Sequence, residues 1–215
     1  MKQDLSDFRK SYEKFALNDE ELSENPIEVF REWFDAAVNN NTVDEANAMS
    51  VSTIGVDGFP KTRVVLLKRY THEGFIFYTN YESEKGKAIK NNPHVCLSFF
   101  WPGMERQIII KGKAEKIASN MSDGYFESRP LLSQISAIVS PQSSVVPSRE
   151  YLEEAQKELE IELKGKYPER PAYWGGYLIR PQSIEFWQGR PNRLHDRIRY
   201  SLNQDYDWII ERLAP

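Results

Sequence analysis

The apolar positions change period several times along the chain. Before residue 25 the sequence is polar and acidic without a sustained apolar repeat, so residues 1–24 read as a mobile arm with a short helical piece around Phe8 to Phe15. Asn25-Pro26 then opens a helix, with Asn as the capping residue and Pro in the first turn. Ile27, Phe30, Trp33, Phe34 and Ala37 follow at helical spacing, and Asn39-Asn40-Asn41 ends the run. From Ala48 to about Lys116 the texture is that of strands. Met49 to Ile54 alternates, Asp57-Gly58 sits at the centre of a hairpin turn, and Thr62 to Lys68 is the returning strand. Gly74 to Thr79, Val95 to Trp101 and Arg106 to Ile117 are further strands, with a short Ser-capped helix over Ser83 to Asn92. Helical pattern returns from Ser119 to Ile138, broken near Pro130, and again from Ser148 to Lys164. Strands resume at Tyr173 to Ile179, Ser183 to Gln188, His195 to Tyr200 and Trp208 to Leu213. Many short, evenly spaced strands predict a small antiparallel barrel, mainly β with flanking helices.

Composition narrows this picture. With 215 residues, 40% hydrophobic and 13% aromatic, the chain can bury a real core, and no long linker divides it. Residues 25–215 are therefore expected to form a single domain. The one thiol, Cys96, lies in a predicted strand, reads as core, and rules out an internal disulfide. His72, His94 and His195 are scattered outside any metal-binding spacing, so no metal is expected. Apolar runs such as Val64 to Leu67 are far shorter than the ~20 residues a membrane helix needs. The polar start Met1-Lys2-Gln3-Asp4 lacks the pattern of a signal peptide. A cytoplasmic protein with no membrane or nucleic-acid partner is the expectation.

The formal charge of −4 is unevenly spread. Residues 1–36 carry five basic and ten acidic side chains, and residues 150–170 carry four and seven. Residues 60–90 carry seven basic and three acidic, and residues 190–199 hold Arg190, Arg193, Arg197 and Arg199 against Asp196. Each basic cluster reads either as a solvated face or as an anion site. In Arg63-Val64-Val65-Leu66-Leu67-Lys68 the period of two puts Arg63 on one apolar face and Lys68 on the other. Such a strand can hold a flat ligand with an anionic tail, Arg supplying a fork and Lys a point charge. Lys85 stands in the first turn of the predicted helix that follows Tyr78-Thr79, where free N–H groups favour phosphate. Glu185 to Arg197 gathers Phe186, Trp187, three arginines and His195 around a Gly/Pro turn. The bland alternative makes Trp187 core and pairs His195 with Asp196. The density of Arg, His and Trp favours a site for an aromatic, phosphorylated ligand.

These segments resemble the pyridoxine (pyridoxamine) 5′-phosphate oxidase family. The likeness is carried by RVVLLK (63–68), FYTN (77–80), Glu105-Arg106-Gln107, YFESRP (125–130), Ser133-Gln134-Ile135, SPQSS (140–144), Trp174-Gly175-Gly176, IEFWQG (184–189), RLHDR (193–197) and the closing RLAP. The resemblance implies an FMN-binding split β-barrel, antiparallel and Greek-key-like, working as a homodimer with FMN at the interface. It implies oxidation of pyridoxamine or pyridoxine 5′-phosphate to pyridoxal 5′-phosphate. O2 would be the electron acceptor, giving H2O2, and the amine substrate would release ammonia. By motif, Arg63, Val64, Leu66, Lys68, Tyr78, Thr79, Lys85, Gln107, Gln142, Ser143, Trp187 and Arg197 would contact FMN. Lys68, Tyr125, Arg129 and Ser133 would meet the substrate phosphate, with Arg193 and His195 over the pyridine ring. Arg197 would orient the reacting amine or hydroxyl, with His195 beside it. Arg9 and Tyr12 would close the arm over the substrate as a lid. Glu84 departs from the family, which usually has a basic residue there. It predicts weaker FMN binding unless Lys87 or Arg69 compensates. Ser11 departs similarly, where the family often has an acid. The alternatives are a split-barrel flavoprotein with another substrate, and a non-catalytic binder of FMN or pyridoxal phosphate.

Overall fold

The structure is a computed structural model, and it describes residues 4–8, 10–18, 20 and 22–215. Its helices are α1 (Pro26–Val38), α2 (Glu84–Asn91), α3 (Ser119–Glu127), α4 (Leu131–Val139) and α5 (Arg149–Leu163). Its strands are β1 (Ala48–Ile54), β2 (Pro60–Leu66), β3 (Arg69–Thr71), β4 (Gly74–Asn80), β5 (His94–Trp101), β6 (Arg106–Lys116), β7 (Trp174–Gln188), β8 (Asp196–Leu202) and β9 (Trp208–Arg212). The strands follow the order β2-β1-β5-β6-β7-β4-β3, with β8 on β7 and β9 on β8. The β3/β4, β4/β7, β7/β8 and β8/β9 pairs are all antiparallel. The architecture is mainly β with flanking helices, as the sequence predicts.

Local chemistry sets the boundaries. The Asn25 side chain accepts from Ile27 N at 3.0 Å and starts α1. The Ser83 hydroxyl accepts from Gly86 N and starts α2, and the Ser148 hydroxyl accepts from Tyr151 N and starts α5. Pro130 stands at the N-cap of α4, which divides α3 from α4. Gly58 takes φ +82 in the turn between β1 and β2, a conformation that costs glycine little.

The chain divides into two compact units. Unit 1 comprises residues 1–50, 96–111 and 181–215. Its core is aromatic: Phe30 meets Phe99 at 5.3 Å, Trp33 meets Phe186 at 5.3 Å, and Phe186 meets Tyr200 at 5.8 Å. The buried Trp101 indole donates to Ala46 O at 3.1 Å, which satisfies its one polar atom. Unit 2 comprises residues 51–95 and 112–180. Phe75, Phe77, Ile89, Phe126, Ile135, Tyr177 and Ile179 are buried in it.

Three expectations change. The helical piece around Phe8 to Phe15 is absent among the described residues. The amides of Glu13 and Lys14 donate instead to the Glu105 carboxylate at 2.9 and 3.1 Å, and Leu17 N donates to Asp196 at 3.1 Å. Backbone donors spent on side chains cannot close helical turns. The two strands expected at 173–179 and 183–188 are one strand, β7. Pro181 falls between the stretch paired with β4 and the stretch paired with β8, so its missing N–H breaks neither ladder. Cys96 is half-buried, with its thiol pKa raised by that burial.

Candidate active site

Unit 2 contains a cavity of about 1100 Å³. Its lining carries five basic side chains, Lys61, Arg63, Lys68, Lys85 and Arg129, against one carboxylate, Glu84. Arg63 comes from β2, whose alternation turns this side chain inward and leaves Val64 exposed. Arg63 Nη1 donates to Thr53 Oγ1 at 2.8 Å and to Lys61 O at 2.9 Å. Lys85 is 7% exposed, in the first turn of α2. Its Nζ donates to Gln142 Oε1 at 3.0 Å, Thr79 Oγ1 at 3.1 Å and Ser83 Oγ at 3.3 Å. Burial, with Arg63 nearby, pushes the Lys85 pKa down to about 8.

Three aromatic rings form one wall. Tyr78 and Tyr125 stack with centroids 3.8 Å apart, and Trp174 lies nearly parallel to both, at 5.6 and 6.1 Å. Tyr78 on β4 faces Gly176 on β7. A Cβ at Gly176 would come within 2.9 Å of the Tyr78 ring and 2.5 Å of Ile117 Cδ1, so glycine makes room for the stack. Burial raises the Tyr78 pKa, with Tyr125 adding to it. Arg129 lies over Trp174, and its Nη1 is buried without a hydrogen-bond partner. Burial lowers the Arg129 pKa.

A second constellation lies in unit 1. Tyr12 meets the Trp187 ring edge-on at 5.7 Å and His195 at 5.7 Å, and Trp187 and His195 are 4.8 Å apart. His195 Nδ1 accepts from Arg190 N at 3.0 Å, which fixes the tautomer with the proton on Nε2. Arg197 sits opposite Trp187 on β8, where its Nε donates to Glu185 at 2.8 Å and its Nη1 donates to Ala214 O at 2.8 Å. The bond to Glu185 raises its pKa. Gln107 Nε2 donates to Ser98 Oγ at 3.2 Å. Arg193 ends a short turn with φ +62.

Comparison with known proteins decides the family. Residues 36–161 match the family model for pyridoxamine 5′-phosphate oxidase, and residues 174–215 match that for the pyridoxine 5′-phosphate oxidase C-terminal dimerisation region. The chain belongs to the pyridoxamine 5′-phosphate oxidase family. The pyridoxine/pyridoxamine 5′-phosphate oxidase of Flavobacterium psychrophilum is 63% identical over 212 residues, covering 99% of each chain. That of Christiangramia forsetii is 52% identical over 215 residues, covering 100% of each. The crystal structure of PhzG from Burkholderia lata, solved with tetrahydrophenazine-1-carboxylic acid, superposes with a TM-score of 0.86 at 26% identity. It covers 93% of this chain and 98% of its own. The fold is thus the antiparallel split barrel of this oxidase family, and FMN is the cofactor.

The donor set fits such a ligand. Among the described residues, a deeply buried lysine has no carboxylate partner and a buried arginine nitrogen has no hydrogen-bond partner, which suits an anion that arrives with its own acceptors. The cavity brings together Arg63, Val64, Leu66, Lys68, Tyr78, Thr79, Lys85, Tyr125, Arg129, Ser133, Gln142 and Ser143. Gln107, Trp187, Arg193, His195, Arg197 and Tyr12 belong to unit 1. Arg9 lies outside the described residues. The bland pairing of His195 with Asp196 is not formed: Asp196 pairs with Arg190 and Arg212. Glu84 has neither Lys87 nor Arg69 as its counter-ion. Lys61 and Arg63 take that place, with Arg63 Nη2 at 3.8 Å.

Lys61, Thr62, Val65, Pro130 and Trp174 also line the cavity without a role assigned from the sequence, and two of them bear on its chemistry. Lys61 is one of the seven basic residues of the 60–90 cluster, just before the predicted strand, and its pairing with Glu84 across 23 positions is what brings it into the site. Trp174 stands in the segment Trp174-Gly175-Gly176. Its signal is an aromatic residue next to Gly-Gly in a strand, where the glycines admit neighbouring rings.

Proposed function

We propose that the unit 2 cavity grips the phosphate groups of FMN and of a phosphorylated pyridine. The enzyme oxidises pyridoxine 5′-phosphate and pyridoxamine 5′-phosphate to pyridoxal 5′-phosphate. The observation that carries the reading is the lining: five basic side chains against one carboxylate, beside a three-ring stack. When bound, FMN supplies the two-electron acceptor for the substrate carbon, with O2 as the terminal acceptor giving H2O2.

The side chains divide the work. Lys85, with Thr79, Gln142 and Ser143, holds the FMN phosphate; Arg63, Val64, Leu66, Lys68 and Tyr78 line the rest of the cofactor. Tyr125, Arg129, Ser133 and Lys68 take the substrate phosphate. Two such grips would fix the substrate ring against the flavin, which is the main service a protein gives this chemistry. Gln107, Trp187 and Arg197 complete the flavin contacts in a homodimer with FMN at the interface, a reading supported by the match of residues 174–215 to a dimerisation region. Arg193 and His195 lie over the pyridine, and Arg9 and Tyr12 close the arm. His195 already uses Nδ1 as an acceptor, so it offers Nε2–H to orient the substrate and is not the base. Arg197 orients the amine or hydroxyl at the reacting carbon. The protein is cytoplasmic in this reading. Among the described residues no helix is long and apolar enough to cross a membrane.

The test is anaerobic. Pyridoxamine 5′-phosphate added to the FMN-loaded protein without O2 bleaches the yellow flavin if the protein is the oxidase. Unchanged colour overturns the reading in favour of a carrier of FMN or pyridoxal phosphate. Light scattering at the mass of two chains supports the homodimer, and a single-chain mass removes it.

A further inference from the structure

Arg129 is an unusual arginine. No carboxylate and no hydrogen-bond acceptor meets its guanidinium among the described residues, and its Nη1 is buried without a partner. What holds it is aromatic: Cζ stands 4.7 Å from the Trp174 ring centroid and 5.8 Å from that of Phe126. The backbone beneath is fixed, because Arg129 N donates to Phe126 O at 3.2 Å and Gln134 Nε2 donates to Arg129 O at 2.8 Å. Trp174 is itself buried, and Phe126 meets it edge-on at 5.2 Å. Unit 1 shows the contrasting case: Arg106 lies over Trp33 at 4.3 Å, but its Nε also donates to Gln188 at 2.8 Å.

We propose that Trp174 is a positioning residue that holds the Arg129 guanidinium on its ring face, so that the arginine meets the substrate phosphate already in place. The proposal rests on the reading of Arg129 as a phosphate contact. An unpaired arginine has high rotamer freedom, which must be lost when it grips an anion. A carboxylate could restrain it, but would neutralise the charge and compete with phosphate. A ring face restrains it and leaves its hydrogen-bond donors for the ligand, and indole offers the strongest such face. The same indole lies 5° from parallel with Tyr125, so one side chain aligns two of the assigned phosphate contacts.

The experiment titrates FMN-loaded Trp174→Leu, Trp174→Phe, Arg129→Met and the Leu/Met double variant with pyridoxal 5′-phosphate and with pyridoxal, and measures KM and kcat for pyridoxine 5′-phosphate. Trp174→Leu is expected to weaken pyridoxal 5′-phosphate binding roughly tenfold, with pyridoxal little affected and the loss appearing in KM more than kcat. Trp174→Phe restores most of that loss, and it carries the test if the Leu variant fails to fold. In the Arg129→Met background the Trp174 substitution adds no further loss. Equal weakening of pyridoxal and its phosphate, or the full Trp174 loss persisting without Arg129, overturns the proposal. If Arg129→Met alone leaves pyridoxal 5′-phosphate affinity unchanged, the assignment of Arg129 fails first and the proposal falls with it.

Discussion

The two basic clusters of the sequence meet different fates. In unit 1, three of the four arginines of residues 190–199 find an acid among the described residues: Arg190 pairs with Asp196, Arg197 with Glu185, and Arg199 with Glu211. Of the basic side chains that line the unit 2 cavity, Lys61 and Arg63 pair with Glu84, while Lys85 and Arg129 have no carboxylate partner among the described residues. Both segments carry a similar excess of positive charge along the chain. The difference comes from what strand pairing places opposite. β8 lies between β7 and β9, which bring Glu185 and Glu211 to it. β2 is at the end of the strand order, and it lines a cavity. Segment charge therefore locates arginines, while cross-strand partners decide whether they build structure or receive an anion.

The largest expected effect tests whether the paired cluster is only structural. Arg197→Leu should lower kcat by at least about a hundredfold with FMN still bound, because an orienting charge at the reacting carbon acts in the transition state. Near-normal turnover would leave Arg197 as a strand ion pair with Glu185 and make the contrast complete.

Next comes Arg129→Met, which should raise KM for pyridoxine 5′-phosphate by roughly tenfold to a hundredfold, as loss of charged hydrogen bonds does. The apoprotein should melt in urea at the same or a higher midpoint, since the change removes a buried nitrogen that has no partner. Asp196→Ala in unit 1 should do the reverse. It removes one partner each from Arg190, Arg212 and the Leu17 amide, and should cost ~1 kcal/mol of stability, the partners being partly exposed. Equal stability losses in both variants would erase the distinction between the clusters.

How much of this was legible beforehand follows the range of each signal. The caps at Asn25 and Ser83, the Asp57-Gly58 turn and the break at Pro130 are local, and the structure has them where the residues place them. β3 and the continuity of β7 depend on partners: a three-residue strand exists only because β4 lies beside it, and Pro181 ends no strand when it falls between two registers. The arm shows the same limit, since Glu105 and Asp196 hold it from about ninety and a hundred and eighty positions away. In the site, strand period and helix start single out Arg63 and Lys85, and the structure brings both to the lining of one cavity. The counter-ions of Glu84 and the ring beneath Arg129 were not legible, because both are made across distant segments.

A smaller effect follows from pH. Lys85 has its pKa lowered to about 8 in the apoprotein, whereas a bound phosphate would favour the charged form and raise it. FMN binding above pH 8 must then take up a proton, so the dissociation constant should weaken by up to about tenfold per pH unit there. The sign for apoprotein stability is opposite: the lysine is charged when unfolded and neutral when folded between about 8 and its usual 10.5, so this site adds stability as pH rises through that window. Fluorescence titration of FMN from pH 7 to 9.5 checks the first, and Lys85→Arg should flatten the profile. A flat profile in the unsubstituted protein would mean that Lys85 does not receive the phosphate.

The smallest expected effect concerns the one acid in the cavity. Glu84 holds Lys61 and Arg63 where an incoming phosphate would want both, so the cofactor must compete with a carboxylate already in place. Lys61 is also tied to Asp57 at 2.9 Å, which leaves it anchored on the other side. Glu84→Arg removes the competitor and adds a cation at the start of α2, and should tighten FMN binding severalfold while riboflavin affinity stays nearly constant. An FMN dissociation constant unchanged in Glu84→Arg would show that Lys61 already cancels the acid. The charge of this rim would then be set by ion pairs, as in unit 1, and the contrast between the two clusters would retreat to Lys85 and Arg129.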